Sequence, residues 1–402
     1  MANRAVLRAG FLMMGFWVAA LPAATQARSS QPDHSTGVWV SCVSEKDVLG
    51  STVQIQELVS FARKAGLTTL FVQVYRADKA WFNSDTADAS PYRKNRASAG
   101  KDTFQVLLDE AHAQGLEVHA WINTLTLSLN EQAPLLQRLG PDILTQDQRG
   151  RTAFRGREQD PLDRYYGREN QLFLEPGDDR VLDHLVKVVR ELAGRYPSLD
   201  GIHFDYIRYP AEPPYIPGSR FNPVGLSYGY GPRNVERFRQ ATGLDPHKVD
   251  WKVDESLAWD NWKRDQVTGL IRNLAAEARK AHPGIQISCA AMAAFDRAYS
   301  AACQDWGRWA REGIVDFVVL MSYSPDSRFV EQTARAAAGL TGSSDKVSIG
   351  LGAYLMEKNP ARLKEQIQLG RSLKVRGLVL FDYTAIASDP LRSLFAEQEH
   401  SS

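Results

Sequence analysis

Eight short apolar runs, each followed by a helical stretch, constrain this chain more than any other feature. They begin at Gly37 (GVWVS), Leu67 (LTTLFVQVY), Glu117 (EVHAWIN), Leu199 (LDGIHFD), Ile285 (IQISCAA), Val315 (VDFVVLMSY), Val347 (VSIGLG) and Val375 (VRGLVLFDY). They lack clean alternation of apolar and polar residues, as strands buried on both faces of a helix-covered parallel sheet require. Between them, Val181, Leu182, Leu185, Val186, Val188, Val189 and Leu192 mark one apolar helical face, and Leu58, Val59, Phe61 and Ala62 open another. Asp102 with Gln105 reads as a capping box, and Asn359-Pro360 and Asp389-Pro390 read as caps before a first-turn proline. The last four runs start about 30 residues apart, one βα unit each. The expected fold class is α/β: a single (β/α)8 TIM barrel with long loops after strands 3 and 4. A doubly wound open sheet is the alternative, disfavoured because no glycine fingerprint follows the first strand.

The 402 residues carry 48 Lys+Arg against 47 Asp+Glu, a formal net charge of +1, so no global field draws the chain to nucleic acid or an acidic membrane. Three cysteines and no zinc-like spacing leave neither a disulfide scaffold nor a structural metal, and no cofactor is expected. Arg4 and Arg8 precede the apolar stretch Gly10 to Leu21, which is too short to span a bilayer and leads to small residues ending at Ala27. This predicts a signal peptide over 1–27, a linker over 28–36, the barrel over 37–397 and a tail over 398–402. Cleavage removes two of the 48 basic residues and no acid, leaving 46 against 47 and a net charge of −1. An uncleaved membrane anchor is the alternative. With no cysteine near the cut, a lipoprotein is disfavoured, and the expected product is a periplasmic or secreted monomer.

In such a barrel the active site is built at the carboxyl ends of the strands. Those ends deliver Ser41, Gln73 and Tyr75, Trp121 and Asn123, Asp205, Ala291, Tyr323, Gly352 and Tyr354, and Asp382. The loop from Thr124 to Glu175 and the loop from Tyr206 to Gly231 are long, which predicts a deep cleft. The second of these interleaves Tyr206, Tyr209, Tyr215, Phe221, Tyr228 and Tyr230 with Pro210, Pro213, Pro214, Pro217 and Pro223. Such rings are either a satellite core or a wall for sugars, whose C–H faces pack on aromatics while hydroxyls meet polar tips.

GVWVS, LFVQVY, EVHAWIN, LFLEPG and above all LDGIHFDYIRYP at 199–210 resemble the glycosyl-hydrolase-like 10 family of bacterial barrel proteins, over roughly Ser35 to Glu397. The resemblance implies a (β/α)8 glycoside hydrolase of the cell envelope, a branch of that family cleaving peptidoglycan strands that have lost their stem peptides. This chain departs in lacking the lipoprotein cysteine of some relatives and in carrying Glu175 where relatives commonly have Asn. A more distant likeness runs to family 18 chitinases: Asp200, Gly201 and Asp205 match their fourth-strand motif, and MSY at 321–323 and LFDY at 380–383 are similar to their sixth and eighth strands. His203 and Ile207 stand where that motif has an Asp and the catalytic Glu, so the substrate-assisted mechanism does not carry over.

Glycoside hydrolysis normally needs two carboxyl groups flanking the bond. Asp205, ending strand four at the catalytic face, is the first candidate. Asp382, Glu175, Glu357 and Asp326 compete for the second place, with Asp382 favoured and with helix capping as the competing role for Asp326 and a helix N-terminus for Glu175. Candidate substrate contacts are Gln73, Tyr75, Trp121, Asn123, Tyr206, Arg208, Tyr323 and Tyr354. Arg208 is either an anion contact or a salt bridge holding its loop. His119 and His203 read as core residues in the barrel layers. Arg149, Arg151, Arg155, Arg157, Arg164 and Arg168 face Glu158, Asp160, Asp163 and Glu169 in the third loop, a solvated ion-pair lacework or a reader of glycan carboxylates. Cys289 and Cys303 are placed to meet across the loop after strand five, whereas Cys42 is not. The expected partner is a polysaccharide, with no nucleic acid and no stable membrane insertion after signal cleavage. The functional expectation is an envelope glycosidase acting on an amino-sugar polymer. The alternatives are a catalytically silent glycan-binding barrel and a hydrolase of an α-linked or other exopolysaccharide.

Overall fold

The eight apolar runs form eight parallel strands in the computed structural model, which describes residues 35–154, 169–211, 227–248 and 253–396. The expected signal peptide and tail lie outside these residues, as do Arg155, Arg157, Glu158, Asp160, Asp163, Arg164 and Arg168 of the third loop. So do Pro213, Pro214, Tyr215, Pro217, Phe221 and Pro223 of the fourth. The strands are β1 (Ser35–Val40), β2 (Thr69–Arg76), β3 (Glu117–Asn123), β4 (Gly201–Asp205), β5 (Gln286–Met292), β6 (Phe317–Met321), β7 (Val347–Gly352) and β8 (Gly377–Phe381). Each pairs with the next, and β1 also pairs in parallel with β8, so the sheet closes on itself. That closing pair decides for the (β/α)8 barrel against the open sheet.

The absence of alternation has a direct cause, since both faces of each strand are buried but in different company. Val38, Leu70, Val118, Ile202, Ile287, Val318, Ile349 and Leu378 face outward into the core shared with the helices. Trp39, Phe71, Trp121, Phe317, Val319 and Val379 fill the barrel with Tyr323 and Phe381 packed against them. Burying each such side chain contributes roughly 1.5–3 kcal/mol. The large rings fit because glycines face them. A Cβ on Gly201 would lie 2.3 Å from Nδ1 of His119, and one on Gly350 would lie 2.8 Å from the Trp39 ring.

His119 and His203 belong to this interior. Trp39 Nε1 donates to His203 Nε2 at 3.2 Å, which leaves the proton on Nδ1, 2.9 Å from Ser288 Oγ. Burial pushes the His119 imidazole down to about 3 and His203 well below its ordinary value, so both are neutral.

Local signals hold with three corrections. Helix Asp179–Arg195 is capped by Asp178, whose side chain accepts from the Arg180 N–H, and it buries Val181, Leu185, Val188, Val189 and Leu192. Asp102 caps Thr103–Ala113, but the Gln105 side chain turns to Asp109 at 2.8 Å, so the box closes on one side only. Asn359 precedes Pro360 without a side-chain capping bond. No helix begins at Asp389-Pro390, where the peptide is cis and the next helical turn is Ser393–Ala396. The three cysteines are free and buried, so Cys289 and Cys303 are not bridged.

The long third loop is built rather than loose. Its strand Thr126–Ser128 pairs antiparallel with Leu172–Phe173, and its helix Pro134–Leu139 is tied down by Asp78, which is fully buried. Asp78 accepts from the Leu135 N–H at 2.8 Å and meets His184 Nε2 at 2.8 Å and the Tyr75 hydroxyl at 3.2 Å. The fourth loop leads into helices Pro232–Thr242 and Val253–Ala281.

Candidate active site

A cleft of about 220 Å³ opens at the carboxyl ends of the strands. Gln73, Trp121, Asn123, Asp205, Tyr206, Arg208, Tyr323 and Asp382 line it, together with Ser41, Arg76, Ser128, Gln171 and the Trp39 and Phe381 rings. Asp205 and Asp382 are the two carboxylates among these described lining residues. A larger groove of about 710 Å³ runs along helix Thr52–Lys64 and the chain after β8, outside the barrel, and Glu57 is its single lining carboxylate. Size favours the groove, but the paired acids at the strand ends favour the cleft.

Asp205 ends β4 directly across from Asn123 of β3. Its Oδ2 accepts from Trp121 Nε1 at 3.1 Å and its Oδ1 from the Tyr206 N–H at 2.7 Å. Burial dominates and raises its pKa, against the opposing pull of these donors and of Arg208. The next residue, Tyr206, sits in the left-handed region at φ 52°, a conformation costing roughly 1–3 kcal/mol in a bulky residue and found where a site over-determines the backbone. Asp382 is half-buried and follows β8 across a cis peptide from Phe381. Its Oδ1 accepts from the Ala385 N–H at 3.1 Å, and burial, aided by the charge of Glu357, raises its pKa.

Four sequence candidates lie elsewhere. Glu175 is wholly buried away from the cleft, taking the Tyr209 hydroxyl at 2.5 Å and the Gly177 and Gly231 N–H groups at 3.1 and 3.2 Å. It ties the third loop to the fourth, and burial raises its pKa. Glu357 is exposed on the turn after β7 and touches the site only through its field on Asp382. Asp326 caps helix Ser327–Thr341 and pairs with Arg328. Tyr75 is misplaced by strict alternation, which puts it on the face of Gln73. A register shift between Gln73 and Tyr75 reverses the alternation, so Tyr75 pairs with Ile122 and packs outward onto Asp78. Ala291 likewise faces the helices, while Ala290 lines the cleft. Tyr354, 46% exposed, stands at the rim with its ring 6.2 Å from Tyr323 and 6.1 Å from Phe381.

Arg208 holds its loop. It grips Glu169 with both terminal nitrogens at 2.6 and 3.2 Å, while its guanidinium lies over the Tyr206 ring at 5.1 Å. Arg151 is similarly committed to Asp147. Sequence reasoning passes over Arg76 and Gln171, and it places Glu169 among the third-loop acids without its pairing to Arg208. The first two border the LFVQVY and LFLEPG runs and carry no pattern of their own, and Glu169 meets Arg208 only because the two long loops fold together. Among the described residues no group of three or more His, Cys, Asp or Glu is arranged to hold a metal.

The sequence model of the family described as "Glycosyl hydrolase-like 10" matches residues 35–359. The chain belongs to this family. Among its relatives, glycosyl hydrolase DigH of Escherichia coli strain K12 is 27% identical over 342 residues, covering 76% of this chain and 69% of DigH. Glycosyl hydrolase YngK of Bacillus subtilis strain 168 is 23% identical over 418 residues, covering 94% and 74%. In fold, this glycosyl-hydrolase-like 10 barrel is similar to the PgaB (BpsB) glycoside hydrolase domain of Bordetella bronchiseptica, with TM-score 0.64 at 15% identity over 90% of this chain and 98% of that one. The β-amylase catalytic domain of Paenibacillus polymyxa aligns with TM-score 0.56 at 12% identity, over 88% and 93%. Family and site together make this a carbohydrate-active barrel.

Proposed function

We propose that the protein is a glycoside hydrolase of the bacterial envelope, secreted by its N-terminal segment, and that it cleaves amino-sugar glycan at this cleft. Peptidoglycan strands without stem peptides are the substrate favoured by the family resemblance. The observation that carries the reading is the pairing of Asp205 and Asp382 as the carboxylates of a Trp- and Tyr-lined cleft. Their environments differ, which is how two acids divide two roles. Asp205, 9% exposed, has its proton favoured by burial and serves as the general acid on the leaving oxygen. Asp382 is more open to solvent, has one oxygen fixed by the Ala385 N–H, and serves as the ionised partner, nucleophile or base. Trp121 and Tyr323 flank Asp205 and offer faces for the sugar ring.

The test is incubation of the protein with three glycans: strands stripped of stem peptides, strands still carrying them, and neutral chitin oligomers. New reducing ends are then counted by mass spectrometry. Release of short disaccharide-repeat fragments from the stripped strands, well above the other two, is the expected result. No release from any of them would refute the hydrolase reading on amino-sugar glycans.

A further inference from the structure

The floor of the cleft holds a chain of hydrogen bonds whose polarity is fixed from one end. The Cys42 backbone N–H lies 3.3 Å from Gln73 Oε1, and a backbone N–H can only donate. Ser41 Oγ and Cys42 Sγ approach the same oxygen, each at 3.2 Å. Burial pushes the Cys42 thiol up to about 12, so it keeps its proton and donates as well. The atom receiving these bonds must therefore be the Gln73 oxygen, and the other end of that amide is its NH2. Gln73 Nε2 in turn donates to Asn123 Oδ1 at 3.0 Å. The Asn123 oxygen is thus committed inward, and its Nδ2 faces the cleft it lines. Asn123 is 3% exposed, and no described residue accepts from that nitrogen. Its partner in register on the adjacent strand β4 is Asp205.

We propose that Gln73 is a positioning residue that locks the Asn123 amide as a donor beside Asp205, and that this donor makes the cleft select an N-acetylated amino sugar over its free-amino form. The proposal rests on the hydrolase reading for the identity of the site and deepens it by naming the group that is read. An acetamido carbonyl oxygen accepts from Asn123 Nδ2. The ammonium of a de-N-acetylated sugar has only donors to offer, and it leaves the buried N–H unpaired. A polar site built for one partner rejects the analogue that cannot complete its bonds. The polarity cannot adapt by rotation of Asn123 alone, because a flipped amide would set its NH2 against the NH2 of Gln73.

The experiment compares amino-sugar oligomers that are fully N-acetylated or fully de-N-acetylated. It measures kcat/KM with the wild type and binding by calorimetry in the Asp205→Asn background. The wild type is expected to favour the N-acetylated form by about tenfold or more. Gln73→Glu keeps the acceptor for Cys42 but presents a carboxylate to Asn123, whose amide must turn its oxygen to the cleft. The preference should fall by about tenfold, the scale of one hydrogen bond. In an Asn123→Leu background the same Gln73→Glu change should move the preference by less than about threefold, which separates the amide's orientation from the added charge. Asn123→Asp, which removes the donor and leaves Gln73 intact, makes the same prediction should Gln73→Glu fail to fold. An unchanged preference in folded Gln73→Glu and Asn123→Asp overturns the inference and leaves the hydrolase reading standing. Selective binding without cleavage by the wild type supports the inference and overturns the hydrolase reading. Absence of binding to either oligomer overturns both.

Discussion

Trp121→Phe removes one hydrogen-bond donor from Asp205 while keeping an aromatic ring in the cleft wall. The Trp121 Nε1 bond to Asp205 Oδ2 favours the ionised carboxylate, so its loss raises the Asp205 pKa further. A hydrogen bond to a charged group is worth about 1.5–3 kcal/mol. The same bond to the neutral acid is roughly half as strong. The difference between the two protonation states is therefore about 0.8–1.5 kcal/mol, and at 1.36 kcal/mol per tenfold it moves the titration upward by roughly 0.5–1 pH unit. The assay is a 13C titration of the aspartate carboxyls, with Asp205 assigned by the resonance that Asp205→Asn removes. The alkaline limb of kcat/KM should move the same way, because a general acid must still hold its proton. A titration that stays in place or moves down would refute the argument that this bond stabilises the anion. An alkaline limb that stays while the carboxyl moves would refute Asp205 as the acid.

Gly201→Ala places a Cβ 2.3 Å from His119 Nδ1, and that ring is boxed in by Phe71 at 5.0 Å and Phe317 at 5.9 Å. Overpacking of this kind costs about 1–3 kcal/mol, which thermal melting reads, and combining it with His119→Ala should cost less than the sum of the two. Glu175 holds its proton above its ordinary 4.5 when folded, so the folded state binds more protons than the unfolded one as pH rises past 4.5. Its contribution to stability therefore falls with rising pH in that window, and Glu175→Gln should flatten the decline in a urea-melt series run against pH. Glu175→Gln should also leave turnover within severalfold of wild type, whereas loss of activity without loss of stability would return Glu175 to the site. All three thiols are free, so unfolding without reductant should allow three alkylations by mass, and two missing adducts would reveal a disulfide.

The barrel was legible because its physics is repetitive. Each strand buries an aliphatic face on the helices and an aromatic or small face inside, and both requirements write themselves as unbroken apolar runs. The cleft was legible where a residue simply ends a regular strand, as with Asn123 and Asp205, which remain in register across β3 and β4. It was illegible where regularity breaks. The shift after Gln73 turned Tyr75 outward, and no residue type in LFVQVY announces it. Glu175 looked like a mouth acid because its run precedes a helix near β4, yet its partners Tyr209 and Gly231 come from another loop, some 34 and 56 residues away. Arg208 was balanced between two roles in sequence, and Glu169 decided it, a contact 39 residues distant.

Turnover and binding measured together on one substitution test the central claim most directly. The wild type and Asp205→Asn are given stripped glycan strands, with reducing-end formation followed over time and affinity measured on the same strands. Removal of a general acid should lower kcat by about 10²–10⁴ while the strands still bind within severalfold of wild type. Asp205→Asn that cleaves at the wild-type rate would contradict the assignment of this cleft as the seat of glycan hydrolysis.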